Sequence, residues 1–308
     1  MVKHPFGSSI KKYISAIDAA LDIENIDSTA LLAANDVKEI ISTAMYDAII
    51  DAKTNTPSTN SEEWAEVLER LCYAMAPLTL YHHFIWLQLR VSNSGITTMK
   101  GQNETTAFKY QTDEGKESLL NFYAAWTKEL IDYLEEKKSI FTQWNSCTQR
   151  TETQALLIKD YREFDKIYNG EGNAAFFYRS RSIQKEIQDE LVPHIGAIAE
   201  TTPAATLTKL KRALVYLTLS RCIVEWDYMY IPAPVKRAIN NEMSLKSGSE
   251  VQNVKERVSA KFKNIAESSI NTIDLKNNAD KQEADNPDDD IVITPVLASA
   301  TDKHVLMM

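Results

Sequence analysis

Apolar residues recur along most of this chain at three- and four-residue steps, the spacing that places them on one face of a helix. A first helix is expected from a Ser8-Ser9 cap, with Ile10, Ile14, Ile17 and Leu21 on one side. A second runs from about Ser28 to Lys53, carrying Leu31, Val37, Ile40, Ile41, Ala44, Met45 and Ile49. Asn60 and Ser61, followed by Glu62 and Glu63, read as the start of a long helix to about Arg90. Pro77 lies inside that span and should kink it or break it near Ala76.

The period lapses over Ser92–Gly115, where turn residues alternate with β-like pieces such as Gly95-Ile96-Thr97-Thr98 and Ala107-Phe108-Lys109-Tyr110. A small β-hairpin or extended arm is expected there. Helical spacing returns from Lys116 to Trp144, weakens through "LLIKDYREFDKIYNGEGN", and ends in a turn at Gly170 to Gly172. Another helix is expected from Ala174 through Leu191, before Pro193 and Gly196. Thr201 or Thr202, with Pro203 at the first turn, opens a further helix to about Tyr230, which "IPAPV" stops. The last amphipathic stretch, roughly Ser249 to Ile273, aligns Val251, Val254, Val258, Phe262, Ile265 and Ile273. After Asp274 the sequence turns polar and acidic, with Asp288-Asp289-Asp290, and is expected to be mobile.

Part of this pattern repeats. Leu68, Leu71, Ala74, Leu78, Thr79 and Leu80 match Leu207, Leu210, Ala213, Leu217, Thr218 and Leu219, and Lys38-Glu39-Ile40 matches Lys185-Glu186-Ile187. The expected fold is therefore mainly α. Two repeated helical-hairpin units (helix, loop, long helix) form a bundle, with a β-hairpin or arm and a flexible acidic tail. The divisions are an N-terminal helix at 1–27, a first repeat at 28–91 and an arm at 92–115. Connecting helices at 116–173, a second repeat at 174–239, a C-terminal helix at 249–273 and a tail at 274–308 follow.

Composition sharpens this picture. The 308 residues include 8 Gly and 9 Pro, against roughly twenty and fifteen at average usage. That scarcity disfavours glycine-rich phosphate loops and many-turned sandwiches. A net charge of −9 argues against general coating of nucleic acid. Cys72, Cys147 and Cys222 are far apart and follow no metal or disulfide spacing, so they read as inert buried thiols. "MVKHPFGSSI" lacks the apolar core of a signal peptide, and no apolar run reaches the roughly 20 residues of a membrane span.

Candidate chemistry is sparse. His82 and His83 sit in "LTLYHHFIWLQL", but adjacent helical residues point about 100° apart and cannot easily share a metal. The carboxylates Asp132, Glu135 and Glu136, and Glu186, Asp189 and Glu190, have the spacing of solvated helix faces. No nucleophile elbow, P-loop or paired ExxH motif occurs. The expectation is a protein without catalytic, cofactor or metal residues. In "FFYRSRSIQKE", Arg179 and Arg181 beside three aromatics suggest an anionic or subunit contact; the alternative is a helix start that buries its rings. Lys209, Lys211, Arg212, Lys236 and Arg237 could line a local basic surface facing DNA or an acidic partner.

The two-copy order, Trp144 in "FTQWNSC", "LLIKDYREF", the Phe176–Arg181 run and the helix ending at "IPAPV" resemble an uncharacterised family from phages and prophages of Bacteroidetes. That family lies among virion-assembly genes and is similar to helical head–tail connector or adaptor proteins. The resemblance covers roughly Ser28 to Ile239. It implies a virion structural protein, made in the bacterial host cytoplasm. Such proteins form a homo-oligomeric ring of about twelve subunits between portal and tail proteins. Packaged DNA would pass through without sequence-specific binding, and no membrane is involved. The alternative is a helical scaffold or regulatory protein-binding module without catalytic activity.

Overall fold

A computed structural model describes residues 5–6, 10–14, 26–55, 57–92, 95–98, 109–195, 202–245 and 251–285. The chain is mainly helical. The expected helix at 28–53 is two: α1 (Asp27–Ile41) and α2 (Thr43–Thr54). Ser42 divides them. Its φ of 76° leaves the helical region, and its hydroxyl accepts the Met45 amide at 3.1 Å, starting the second helix. The residues Ile17 and Leu21, and the Ser8-Ser9 cap, lie outside the described residues; Ile10–Tyr13 form a 3-10 turn with Ile10 buried.

The next helix, α3 (Ser61–Gln88), continues through Pro77 without a break. Four-residue strands β1 (Leu89–Ser92) and β2 (Gly95–Thr98) pair antiparallel, with Val91 opposite Ile96. Helix α4 (Lys109–Glu136) starts earlier than the sequence pattern suggested, so Lys109–Gly115 are helix, not arm. It also ends before Trp144, which lies on the short α5 (Thr142–Asn145). Helices α3 and α4 run antiparallel along each other: Tyr73 stacks on Trp126 at 4.3 Å, and Arg70 lies over the Tyr133 ring at 4.5 Å.

Short helices α6 (Thr148–Gln154) and α7 (Tyr161–Ile167) lead to the glycine turn. There the Asp165 carboxylate accepts the amides of Gly170 at 3.0 Å and Gly172 at 2.5 Å. Gly172 has φ 69°, a conformation that costs glycine little. The helix expected from Ala174 splits at Ser180 into α8 (Ala174–Arg179) and α9 (Arg181–Ile195), and α9 continues past Pro193. Helix α10 (Ala204–Glu225) stops five residues short of Tyr230, and a 3-10 turn takes Tyr228–Tyr230.

The segment "IPAPV" ends one element but also starts another. Its prolines sit at the first turn of α11 (Ala233–Leu245), where a missing amide donor matters least. Helix α12 (Val251–Asp285) runs twelve residues past the expected end at Ile273. It packs antiparallel on α10: Ser220 meets Ser259 at 2.8 Å, and Tyr216 meets Phe262 at 5.7 Å. One apolar cluster joins most of these helices, with Trp144, Phe141, Phe177, Leu71, Leu78 and Leu130 fully enclosed. Leu71, Ala74, Leu78 and Thr79 are buried, and so are Leu210, Ala213, Thr218 and Leu219.

Candidate functional site

The two histidines are the place to start. On α3, His82 and His83 turn to different surroundings, as the helical angle between neighbours requires. His82 reaches α1, with Nε2 3.2 Å from Asp36 Oδ2. His83 is buried with Nδ1 unpartnered, and burial lowers its pKa.

Asp36 is the hub. Besides His82, its carboxylate accepts Arg179 Nη2 at 2.9 Å and the Tyr230 hydroxyl at 2.9 Å. Four segments far apart in sequence thus meet on one acid: α1, α3, α8 and the 3-10 turn after α10. Burial would raise the Asp36 pKa, but the bond to His82, the charge of Arg179 and the bond to Tyr230 outweigh it and hold the carboxyl below its usual value. Arg179 also binds Glu39 at 2.8 Å and lies 3.9 Å from the Tyr230 ring centroid. Burial works against its charge, yet neighbouring Tyr123, Asp36 and Glu39 keep the guanidinium firmly protonated.

Beside this network is a cleft with about 30 Å³ of free space, lined in part by Tyr123, Asn173, Arg179, Met229, Tyr230 and Lys236. Lys236 is only 3% exposed. Its ammonium donates to the Met229 carbonyl at 3.4 Å and lies 5.3 Å from the Tyr228 ring centroid. Burial lowers its pKa to about 8, with Glu117 acting weakly in the opposite direction. The Tyr123 hydroxyl is buried without a hydrogen-bond partner, and burial pushes its pKa up to about 12.

The basic residues proposed as one surface separate into several places. Arg179 and Lys236 are interior groups around the cleft: Arg179 follows the alternative of a helix start that buries its rings, whereas Lys236 departs from the expected basic surface. The reason is local: Phe176, Phe177 and Tyr178 are all buried and carry Arg179 inward, while the first turn of α11 buries Val235 and Lys236 together. Arg181 bridges Glu152 at 3.2 Å and donates to the Glu39 carbonyl at 2.8 Å. Lys211 pairs with Glu163, and Arg237 with Glu171. Lys209 and Arg212 share an open groove of about 460 Å³ between α10 and α12, with Asn264, Ile265 and Ser268.

The carboxylates read as solvated faces are also engaged. Glu135 accepts Trp144 Nε1 at 3.1 Å and Arg150 Nε at 2.8 Å. Asp132 accepts the Tyr161 hydroxyl at 2.9 Å, and Glu186 and Glu190 both bind Arg221. Sequence reading missed Asp36 altogether. Its one signal was an acid three residues after Ala33 and four before Ile40, on the apolar face of α1. The thiols of Cys72, Cys147 and Cys222 are all buried, which raises each pKa, that of Cys72 to about 11. Among the described residues no group of three or more His, Cys, Asp or Glu could hold a metal ion, and no helix is long and apolar enough to cross a membrane.

This geometry defines a helical protein whose charged side chains mainly join helices. Residues 37–154 and 175–283 match a family of unknown function, DUF6712, and the chain belongs to that family. The first matched block opens one residue after Asp36, and the second takes in Arg179, Tyr230 and Lys236. No curated protein and no solved structure matches the chain.

Proposed function

We propose that this protein is a structural subunit of a phage virion, a head–tail connector or adaptor that closes into a ring between portal and tail. The observation that carries the reading is the division of labour among its side chains. Charged groups with chemical potential are spent on ties between elements, inside at the Asp36 hub, part-buried at Glu135 and at the surface around Arg221. Large apolar groups are left outside: Leu31 and Leu32 on α1, Phe122 on α4 and Val224 on α10 are 41–57% exposed. Ring closure through heterologous contacts needs two different surfaces on each subunit, and these residues lie on three different helices.

Other features suit the same role. Helix α12 spans about 52 Å at 1.5 Å per residue. From Asp274 to Asp285 its sequence has one large apolar residue, Leu275, so this end is suited to contacts outside its own subunit's core. The strands β1 and β2 would form an arm toward a neighbour. The shorter helices α1 and α9, each packed on the long helix that follows, α3 and α10, fit two copies of one helical-hairpin unit over 28–91 and 174–239. A net charge of −9 suits a channel through which DNA slides without specific contacts.

The test is to co-express the full chain with the portal and tail proteins encoded in the same genome and image the product. A closed ring of about twelve copies bound to portal is expected. A monomer in every combination, with no binding to portal or tail proteins, would refute the proposal. Recovery of host proteins alone would favour a scaffold or regulatory module.

A further inference from the structure

The cleft beside the Asp36 hub is unevenly supplied with hydrogen-bonding groups. Lys236 brings three N–H donors and uses one, in a long bond to the Met229 carbonyl. The buried Tyr123 hydroxyl has no partner. Asn173 spends its side-chain oxygen on the Phe176 amide at 2.9 Å, which leaves only its amide donors for the cleft. Arg179 adds a second cation to the lining. Asp36, the nearby acid, already takes His82, Arg179 and Tyr230. Donors are therefore in excess of acceptors among these groups, the Arg179 charge is met by Asp36 and Glu39 while Glu117 acts on Lys236 only from beyond ion-pairing distance, and the cleft holds about 30 Å³ of space, on the order of one or two solvent molecules.

A water there could accept two of these donors, but it would then need acceptors for its own two protons. A monatomic anion needs none. It would also offset the buried ammonium, the cation in this lining that lacks a carboxylate within ion-pairing distance. We propose that this cleft is a binding site for one small monovalent anion of chloride size, held by the Lys236 ammonium and the Tyr123 hydroxyl. The site would tie α4 to α11 through the anion, next to the place where Asp36 ties α1, α3, α8 and the Tyr228–Tyr230 turn.

The experiment compares unfolding midpoints of the full chain in sodium chloride and sodium gluconate at equal ionic strength and pH 7. Binding to the folded state alone raises the midpoint with the logarithm of free anion once the site fills. Chloride should raise the midpoint by several degrees over gluconate. The increment should disappear in Lys236→Met and shrink in Tyr123→Phe, with both variants folded by far-UV circular dichroism. Bromide in a crystal should give one anomalous peak within hydrogen-bonding distance of Lys236 Nζ. Equal midpoints in the two salts would overturn the proposal. So would an increment that survives Lys236→Met, or a cleft that holds only water in the bromide data.

Discussion

Replacing Lys236 by Met should make the protein more stable, an unusual expectation for a buried charged residue. The reasoning rests on what surrounds the ammonium. It is 3% exposed, has one long hydrogen bond and has its pKa lowered to about 8 from 10.5. At 1.36 kcal/mol per pH unit, that fall corresponds to about 3 kcal/mol of penalty for holding the charge inside. Methionine keeps the unbranched stem and removes the charge. Loss of the Met229 bond and of the contact with the Tyr228 ring offsets about half of the gain, leaving about 1–2 kcal/mol in chloride-free buffer at pH 7.

The pH dependence carries the sharper test. A lysine whose folded pKa is depressed is protonated in both states below pH 8, so its full penalty applies there. Between pH 8 and about 10.5 the unfolded chain binds more protons than the folded one, and wild-type stability should rise. The advantage of Lys236→Met should therefore shrink across that window and vanish above it. Urea unfolding of both proteins at pH 7, 9 and 10.5 measures this. A difference that stays constant with pH, or a variant less stable at pH 7, would show that Lys236 is not an uncompensated buried cation.

Other expectations follow from the same packing. Arg179→Met leaves Asp36 buried with only His82 and Tyr230 and should cost about 3–5 kcal/mol in urea unfolding, while Asp36→Asn with Arg179→Met should cost less than Arg179→Met alone. Because the Asp36 pKa is lowered, its contribution is complete above about pH 4 and is lost as pH falls through the folded value, so Asp36→Asn should flatten the acid limb of the stability curve. Ser42→Ala should cost about 1 kcal/mol or more through the lost Met45 cap, and Ser42→Gly less, since glycine accepts φ 76°. Cys72 and Cys222 should resist a thiol reagent at pH 8 in the folded protein and react at once in denaturant. On the connector proposal, Phe122→Ser should leave unfolding stability within about 0.5 kcal/mol of wild type but weaken self-association in sedimentation.

The helical content was legible because it rests on local periodicity, which α1, α9 and the first two-thirds of α12 follow closely. Where sequence reading failed, a single residue overrode the period. Ser42 adopts a left-handed backbone and caps a new helix inside what looks like one continuous stripe. Ser180 turns its hydroxyl onto the Phe177 carbonyl at 3.0 Å and divides α8 from α9. Pro232 and Pro234 look like a terminator from upstream but serve as an initiator downstream, since proline is tolerated in a first turn.

The Asp36 hub was invisible for a different reason. An aspartate among apolar residues reads as one polar position on a helix face. Its meaning comes from partners 46, 143 and 194 residues away, and no local pattern encodes those distances. Arg179 and Arg181 stand out in the sequence, yet across the break at Ser180 one is carried into the interior and the other lies nearer the surface. Lys236 followed the same logic: a basic residue after "IPAPV" gives no sign of being enclosed until the prolines set the direction of α11.

The separation between Asp36 and Tyr230 also bears on how the chain is made. A ribosome adds about 5–20 residues per second. After Asp36 is synthesised, the 194 residues to Tyr230 take on the order of 10–40 s to follow. Throughout that interval α1 can pack against α3, but the carboxylate that will become the centre of the interior has only His82 to bind. The N-terminal half therefore cannot reach its final form before most of the chain has emerged. A nascent chain stalled before Arg179 would leave α1 with an unmet charge beside its apolar face, a state suited to holding by a chaperone rather than to early docking on a neighbour.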